Sequence, residues 1–168
     1  MFMSRIFLIF CLFLWGNAHA GLPQISLSEK TGEVLEGGTF DTESLKGKTF
    51  LLVHIDPDEK KLNEKAQNAL EEAKLTGPKY GSIVIINAKA TWIPNGVLKT
   101  ALKVNKKDHP ETIYVLDYSK TFVNQWNFKD NSSSFMVINS EGNPIFRRDG
   151  KLSEQDISEM ISLIKANI

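Results

Sequence analysis

Three side chains in one short stretch could do acid–base or metal chemistry: His54, Asp56 and Asp58, each separated by one residue. An imidazole titrates near neutrality, and a neighbouring carboxylate can orient it, so the pattern admits the general base of a histidine-assisted hydrolase. Imidazole nitrogen and carboxylate oxygen are also donor types that suit a divalent ion. A simpler reading competes with both. Asp-Pro-Asp is typical chemistry for starting a helix, and a lone histidine at the end of an apolar run is ordinarily packed against a loop. The expectation is a core histidine, two capping aspartates, no metal and no cofactor. Ser132-Ser133-Ser134 offers hydroxyls, but it has neither a G-x-S-x-G elbow nor an S-x-x-K pair, so it reads as a loop entering a strand. His109, before Pro110, reads as solvated. Trp92 and Trp126 could line a groove, yet large aromatics beside apolar runs are expected in the core.

The elements that must position these groups follow from periodicity. Residues 49–55 (TFLLVHI) form an unbroken apolar run, which fits a strand covered on both faces. From Glu59 the period becomes helical, with Leu62, Ala66, Ala69, Leu70 and Ala73 on one side. Residues 82–87 and 112–117 repeat the short apolar pattern, and between them Leu98, Ala101, Leu102 and Asn105 mark a second helix. Strands separated by such helices predict right-handed crossovers and a largely parallel sheet. The style changes after Lys120: a short helix ends at Trp126, and residues 134–139 and 144–148 flank the turn Ser140-Glu141-Gly142-Asn143 as a hairpin. A last helix follows Ser153, an N-cap, with Leu152 and Ile157 spaced as a hydrophobic staple. Before all this, Gly21 to Lys48 is a lead-in of short strands around Thr31-Gly32 and Gly37-Gly38.

Composition bounds the function. Arg5, the apolar run from Ile6 to Trp15 and the small-x-small site Ala18-His19-Ala20 form a secretory leader, with cleavage expected between Ala20 and Gly21. The domain division is therefore 1–20 leader and 21–168 folded domain. Cys11, the single cysteine, leaves with the leader, so the mature chain can do no thiol–disulfide exchange. Its 19 basic and 20 acidic residues give no electrostatic footprint for nucleic acid or an anionic membrane.

The order of elements resembles the thioredoxin superfamily. The local match runs from Tyr114-Val115-Leu116-Asp117 through Phe122 and Trp126 to the 133–142 segment, SSFMVINSEG. More narrowly, the chain is similar to the YtfJ family of exported bacterial proteins. The matching features are Val53-His54-Ile55, Asn105-Lys106-Lys107 with Pro110, Val115-Leu116-Asp117, Trp126, Ser132-Ser133, and the 139–142 turn with Asp149-Gly150. The resemblance implies a thioredoxin-like fold with no established activity. Where catalytic thioredoxins carry C-x-x-C this chain reads Asp58-Glu59-Lys60-Lys61, and about Ser133 it lacks their cis-proline.

These readings combine into one expectation. The fold is α/β and thioredoxin-like, a mixed sheet of about five strands with helices on both faces and a C-terminal hairpin plus helix. The function is a non-catalytic periplasmic binding module, monomeric, for a protein, peptide or small ligand. Its candidate binding face is His54, Asp56, Asp58, Lys60, Ser132 and Ser133, and nucleic acid and membrane are not expected partners. The alternative is a cysteine-independent hydrolase centred on His54 and the Asp56/Asp58 loop.

Overall fold

The computed structural model describes residues 21–168; the expected leader, residues 1–20, lies outside the described residues. Three apolar runs become the parallel centre of the sheet: β4 (Thr49–Ile55), β5 (Tyr80–Asn87) and β6 (Thr112–Asp117). Their helical crossovers are α1 (Glu64–Ala73) and α2 (Asn95–Asp108). After β6, the short α3 (Thr121–Trp126) leads to the antiparallel pair β7 (Ser133–Ile138) and β8 (Pro144–Asp149), and α4 (Glu154–Ala166) ends the chain. The lead-in supplies β1 (Ser26–Leu27) and β3 (Phe40–Asp41), which pair with each other, and β2 (Gly32–Val34). The main sheet runs β2-β6-β5-β4-β7-β8.

That sheet has six strands, one more than the pattern suggested, because β2 adds antiparallel to β6 at one edge. A three-residue strand is too short to show a period of two. Helices cover both faces, as expected. Leu51, Phe135 and Val137 point to the side closed by α4, where Ile157, Met160 and Ile164 are buried. Each such aliphatic side chain contributes roughly 1.5–3 kcal/mol on burial. Leu98 and Leu102 of α2 cover Ile86, Tyr114 and Leu116 on that same side. The opposite face carries Leu52, Ile83, Ile85, Val115, Met136 and Ile138 beneath Phe122, Trp126 and Phe128.

Local signals held at α4 and failed at α1. Ser153 and Asp156 close a full capping box, each side chain accepting the other's backbone N–H. α1, by contrast, begins at Glu64 rather than Glu59. Residues Pro57–Glu59 form a separate 3-10 turn, and Asp56 makes no side-chain cap there. The two aspartates are therefore not helix caps. The Pro57 ring presets φ for a tight turn, and four further residues, 60–63, pass before the α-helix starts at Glu64. Trp126 is core as expected, but Trp92 is 87% exposed. No cis peptide occurs among the described residues.

Candidate functional site

β4 is central, so its C-terminal end is where the chain emerges between two neighbours, and both put residues beside it. His54 lies opposite Ser134 of β7 and beside Ile85 of β5. Residues directly opposed in an antiparallel pair share a face, and so do residues two apart on one strand. His54, Asp56 and Ser134 therefore face the α3 side. Asn87 and Asp117, paired at the ends of β5 and β6, face the same way. The result is a row of polar residues across the C-terminal end of the parallel strands.

The row is buried. His54 has no exposed surface, and its ring centroid stands 5.2 Å from that of Phe128 and 6.4 Å from that of Phe122. Neither ring nitrogen has a hydrogen-bond partner. Burial lowers the His54 pKa to about 4, against an opposing pull from the carboxylates of Asp117, Asp130 and Asp149. Asp56 is tied to the loop before β7: its N–H donates to the Ser132 carbonyl at 3.0 Å, and its Oδ2 accepts the Ser132 N–H at 2.9 Å. Its Oδ1 has no partner, and burial raises its pKa while the Asn87 amide pulls it down. Asn87 also donates to Asp130 Oδ1 at 3.3 Å, and Lys120 closes on Asp130 Oδ2 at 2.6 Å. Asp117 Oδ2 accepts the Phe122 N–H at 3.0 Å and so anchors α3 over the row.

The six candidate face residues divide in two. His54, Asp56, Ser132 and Ser133 are buried, while Asp58 and Lys60 are exposed. Ser133 points away from His54: its Oγ meets Asn63 Nδ2 at 2.6 Å on the α1 side. Asp58 Oδ1 accepts from the Thr91 hydroxyl at 3.2 Å, so it leaves the His54 row altogether. No carboxylate hydrogen-bonds to His54, and the ring has no path to a dissolved substrate in this conformation. Among the described residues, no three His, Cys, Asp or Glu side chains gather as a metal cluster.

Sequence reasoning missed two parts of the site. Asn87 and Asp117 are polar residues ending apolar runs in neighbouring strands, a signal that strand pairing makes readable. Asn63 had no signal, because its partners lie 70 to 89 residues away. Beside the row, on the α2 side, lies an open groove of about 440 Å³. Ala88, Lys89, Ile93, Pro94 and Tyr118 line it, and the Asp58–Thr91 bond joins the loop after β4 to its wall. Trp92 stands in the segment that forms the groove.

Comparison with known proteins is decisive for the family. Residues 20–167 match the family model of bacterial proteins of unknown function YtfJ_HI0045. The chain belongs to this YtfJ family. An uncharacterized Haemophilus influenzae protein is 28% identical over 151 residues, covering 85% of this chain and 82% of its own. The uncharacterized YtfJ protein of Escherichia coli K12 is 24% identical over 98% of each chain. The fold is thioredoxin-like. The pneumococcal exposed lipoprotein thioredoxin Etrx1 from Streptococcus pneumoniae superposes with a TM-score of 0.61 at 15% identity, over 84% of this chain and 99% of that one. Among the described residues of this YtfJ-family chain, no helix is long and apolar enough to cross a membrane.

Proposed function

We propose that this YtfJ-family protein is an exported, non-catalytic binding module that holds a polypeptide segment at the C-terminal end of its parallel strands. In α/β sheets that end is open, because the connections leave it in different directions. The observation that carries the reading is the exposed Trp92, whose chain neighbours Thr91 and Ile93 line the groove. A tryptophan 87% exposed has no packing reason to be there, and aromatic anchors next to grooves are the usual centres of recognition. Export rests on the leader pattern of residues 5–20. Etrx1 is a thioredoxin by its description. Residues 21–168 contain no cysteine, so the same scaffold here can offer a surface but no disulfide exchange.

The burial of His54 disfavours the hydrolase alternative, since a general base has to come within hydrogen-bond reach of the proton it removes. A displayed library of random peptides, selected on the purified protein and counter-selected on Trp92→Ala, tests the binding role. Enriched peptides should bind the natural protein at least about ten-fold more tightly than the variant, the 1.4 kcal/mol scale of one interface anchor. Peptides that bind both equally, or no enrichment over repeated rounds, would reject this groove as the site.

A further inference from the structure

We propose that the buried row beneath α3 is a site for one divalent first-row metal ion, held by the His54 imidazole, the Asp56 carboxylate, the Asn87 side-chain carbonyl and the Ser134 hydroxyl. The starting observation is a concentration. Among the described residues, the buried side-chain nitrogen and oxygen atoms without a hydrogen-bond partner are His54 Nδ1 and Nε2, Asp56 Oδ1, Asn87 Oδ1 and Ser134 Oγ. All five belong to four neighbours on one face of the sheet. Leaving a buried polar atom unpaired costs about 1–3 kcal/mol, so five in one place is the mark of an occupant rather than of loose packing.

Register brings the four together. His54 and Ser134 are opposed across β4 and β7, a relation that puts Cβ atoms about 4.5–5.5 Å apart. Asp56 is two residues further along the same face, and Asn87 ends the neighbouring strand β5 on that face, two residues beyond Ile85, the partner of His54. The donor types then select the guest. Three oxygens and one imidazole lone pair can all accept, and one cation satisfies those four together; the second imidazole nitrogen keeps its N–H. Imidazole with carboxylate and carbonyl oxygen suits first-row divalent ions. The surrounding charge agrees on balance: the carboxylates of Asp117, Asp130 and Asp149 all favour positive charge at His54, while the cation of Lys120 is paired with Asp130 and also acts on Asp56.

This ligand set differs from the one that spacing alone suggested. Asp58 drops out because it is exposed and bonded to Thr91, and Asn87 and Ser134 enter from neighbouring strands. Ordered water is the competing occupant, and the experiment separates the two.

Protein expressed from the full chain is stripped with EDTA and titrated with Zn²⁺ or Mn²⁺ by calorimetry and thermal shift, with Mg²⁺ and Ca²⁺ as comparators. One equivalent of Zn²⁺ or Mn²⁺ is expected to bind and raise Tm. His54→Ala should weaken binding by at least about ten-fold, since even outer partners of a metal cost that much. Ser134→Ala, a nearly isosteric change that spares the fold, should weaken it several-fold, and Asn87→Asp should tighten it by adding a charge. Asp58→Ala and His109→Ala, both at the surface, should change nothing. The proposal is overturned if neither ion binds at millimolar concentration, which assigns the row to water. It is equally overturned if affinity survives Ser134→Ala intact, or if Asn87→Asp fails to tighten it.

Discussion

Replacing Asn63 by alanine asks whether one amide holds the loop between β4 and α1 in place. Its Nδ2 donates to Ser133 Oγ at 2.6 Å and to the Gly150 carbonyl at 2.8 Å, and its Oδ1 accepts the Leu152 N–H at 2.8 Å. The residue is 5% exposed, so water replaces these partners poorly. Alanine removes three hydrogen bonds and strands a hydroxyl at the start of β7 and a carbonyl and an N–H in the loop between β8 and α4. At about 1 kcal/mol net for each bond, the loss comes to about 3 kcal/mol, with any unrelieved burial of the stranded groups adding to it. For a domain of this size that lowers Tm by roughly 6–12 °C. Urea titration followed by circular dichroism reads the free energy directly. Asn63→Asp keeps the acceptor for Leu152 but sets a buried carboxylate oxygen against the Gly150 carbonyl, so it should recover none of the loss. A variant within about 0.5 kcal/mol of the natural protein, the range of ordinary surface changes, would refute the clamp.

Three other outcomes follow from geometry already described. In metal-depleted protein, His54 takes up a proton more readily when unfolded, because its folded pKa of about 4 lies below the ordinary 6.5. Its contribution to stability is thus full above pH 6.5 and falls by up to about 3 kcal/mol as pH drops towards 4. Asp56, shifted upward, works in the opposite sense, so the His54 contribution is read as the difference between the natural protein and His54→Phe; parallel pH curves for the two would contradict it. Gly32→Ala places a Cβ 2.4 Å from the Leu116 carbonyl oxygen and should cost about 1–3 kcal/mol by forcing β2 off β6, with increased amide exchange at Leu35, whose N–H donates to the Tyr114 carbonyl, as the local readout. Trp92→Ala should leave urea stability within about 0.5 kcal/mol of the natural protein, since an exposed side chain buries little; a larger loss would mean that Trp92 serves the fold.

Much of the fold was legible because its signals are local. The apolar runs at 49–55, 82–87 and 112–117 became β4, β5 and β6, and the Ser153 cap and the 140–143 turn appeared where their residue types demand them. The misreadings share a cause: tertiary partners outcompeted a local role. Asp56 has capping chemistry, but the Ser132 N–H across the sheet end took its carboxylate. Ser133 and Ser134 look equivalent in sequence, yet strand alternation sends one to Asn63 and leaves the other beside His54. Trp92 was expected inside because its residue type is usually buried, and nothing in the segment from Thr91 to Pro94 marks its ring as exposed. The burial of His54 was legible; the absence of any partner for its ring was not.

The contrast between the two tryptophans of residues 21–168 also gives the protein its own optical labels. Trp126 is walled in by Phe122 and Phe128, edge-on to both at 5.1 and 5.8 Å, and its indole donates to the Pro23 carbonyl at 2.7 Å. Its emission should be blue and should shift red only when α3 lifts from the sheet. Trp92 already sees solvent and should emit red in the native state, moving blue only when something covers it. Fluorescence of the unlabelled protein therefore carries unfolding and surface occupancy as two shifts of opposite sign.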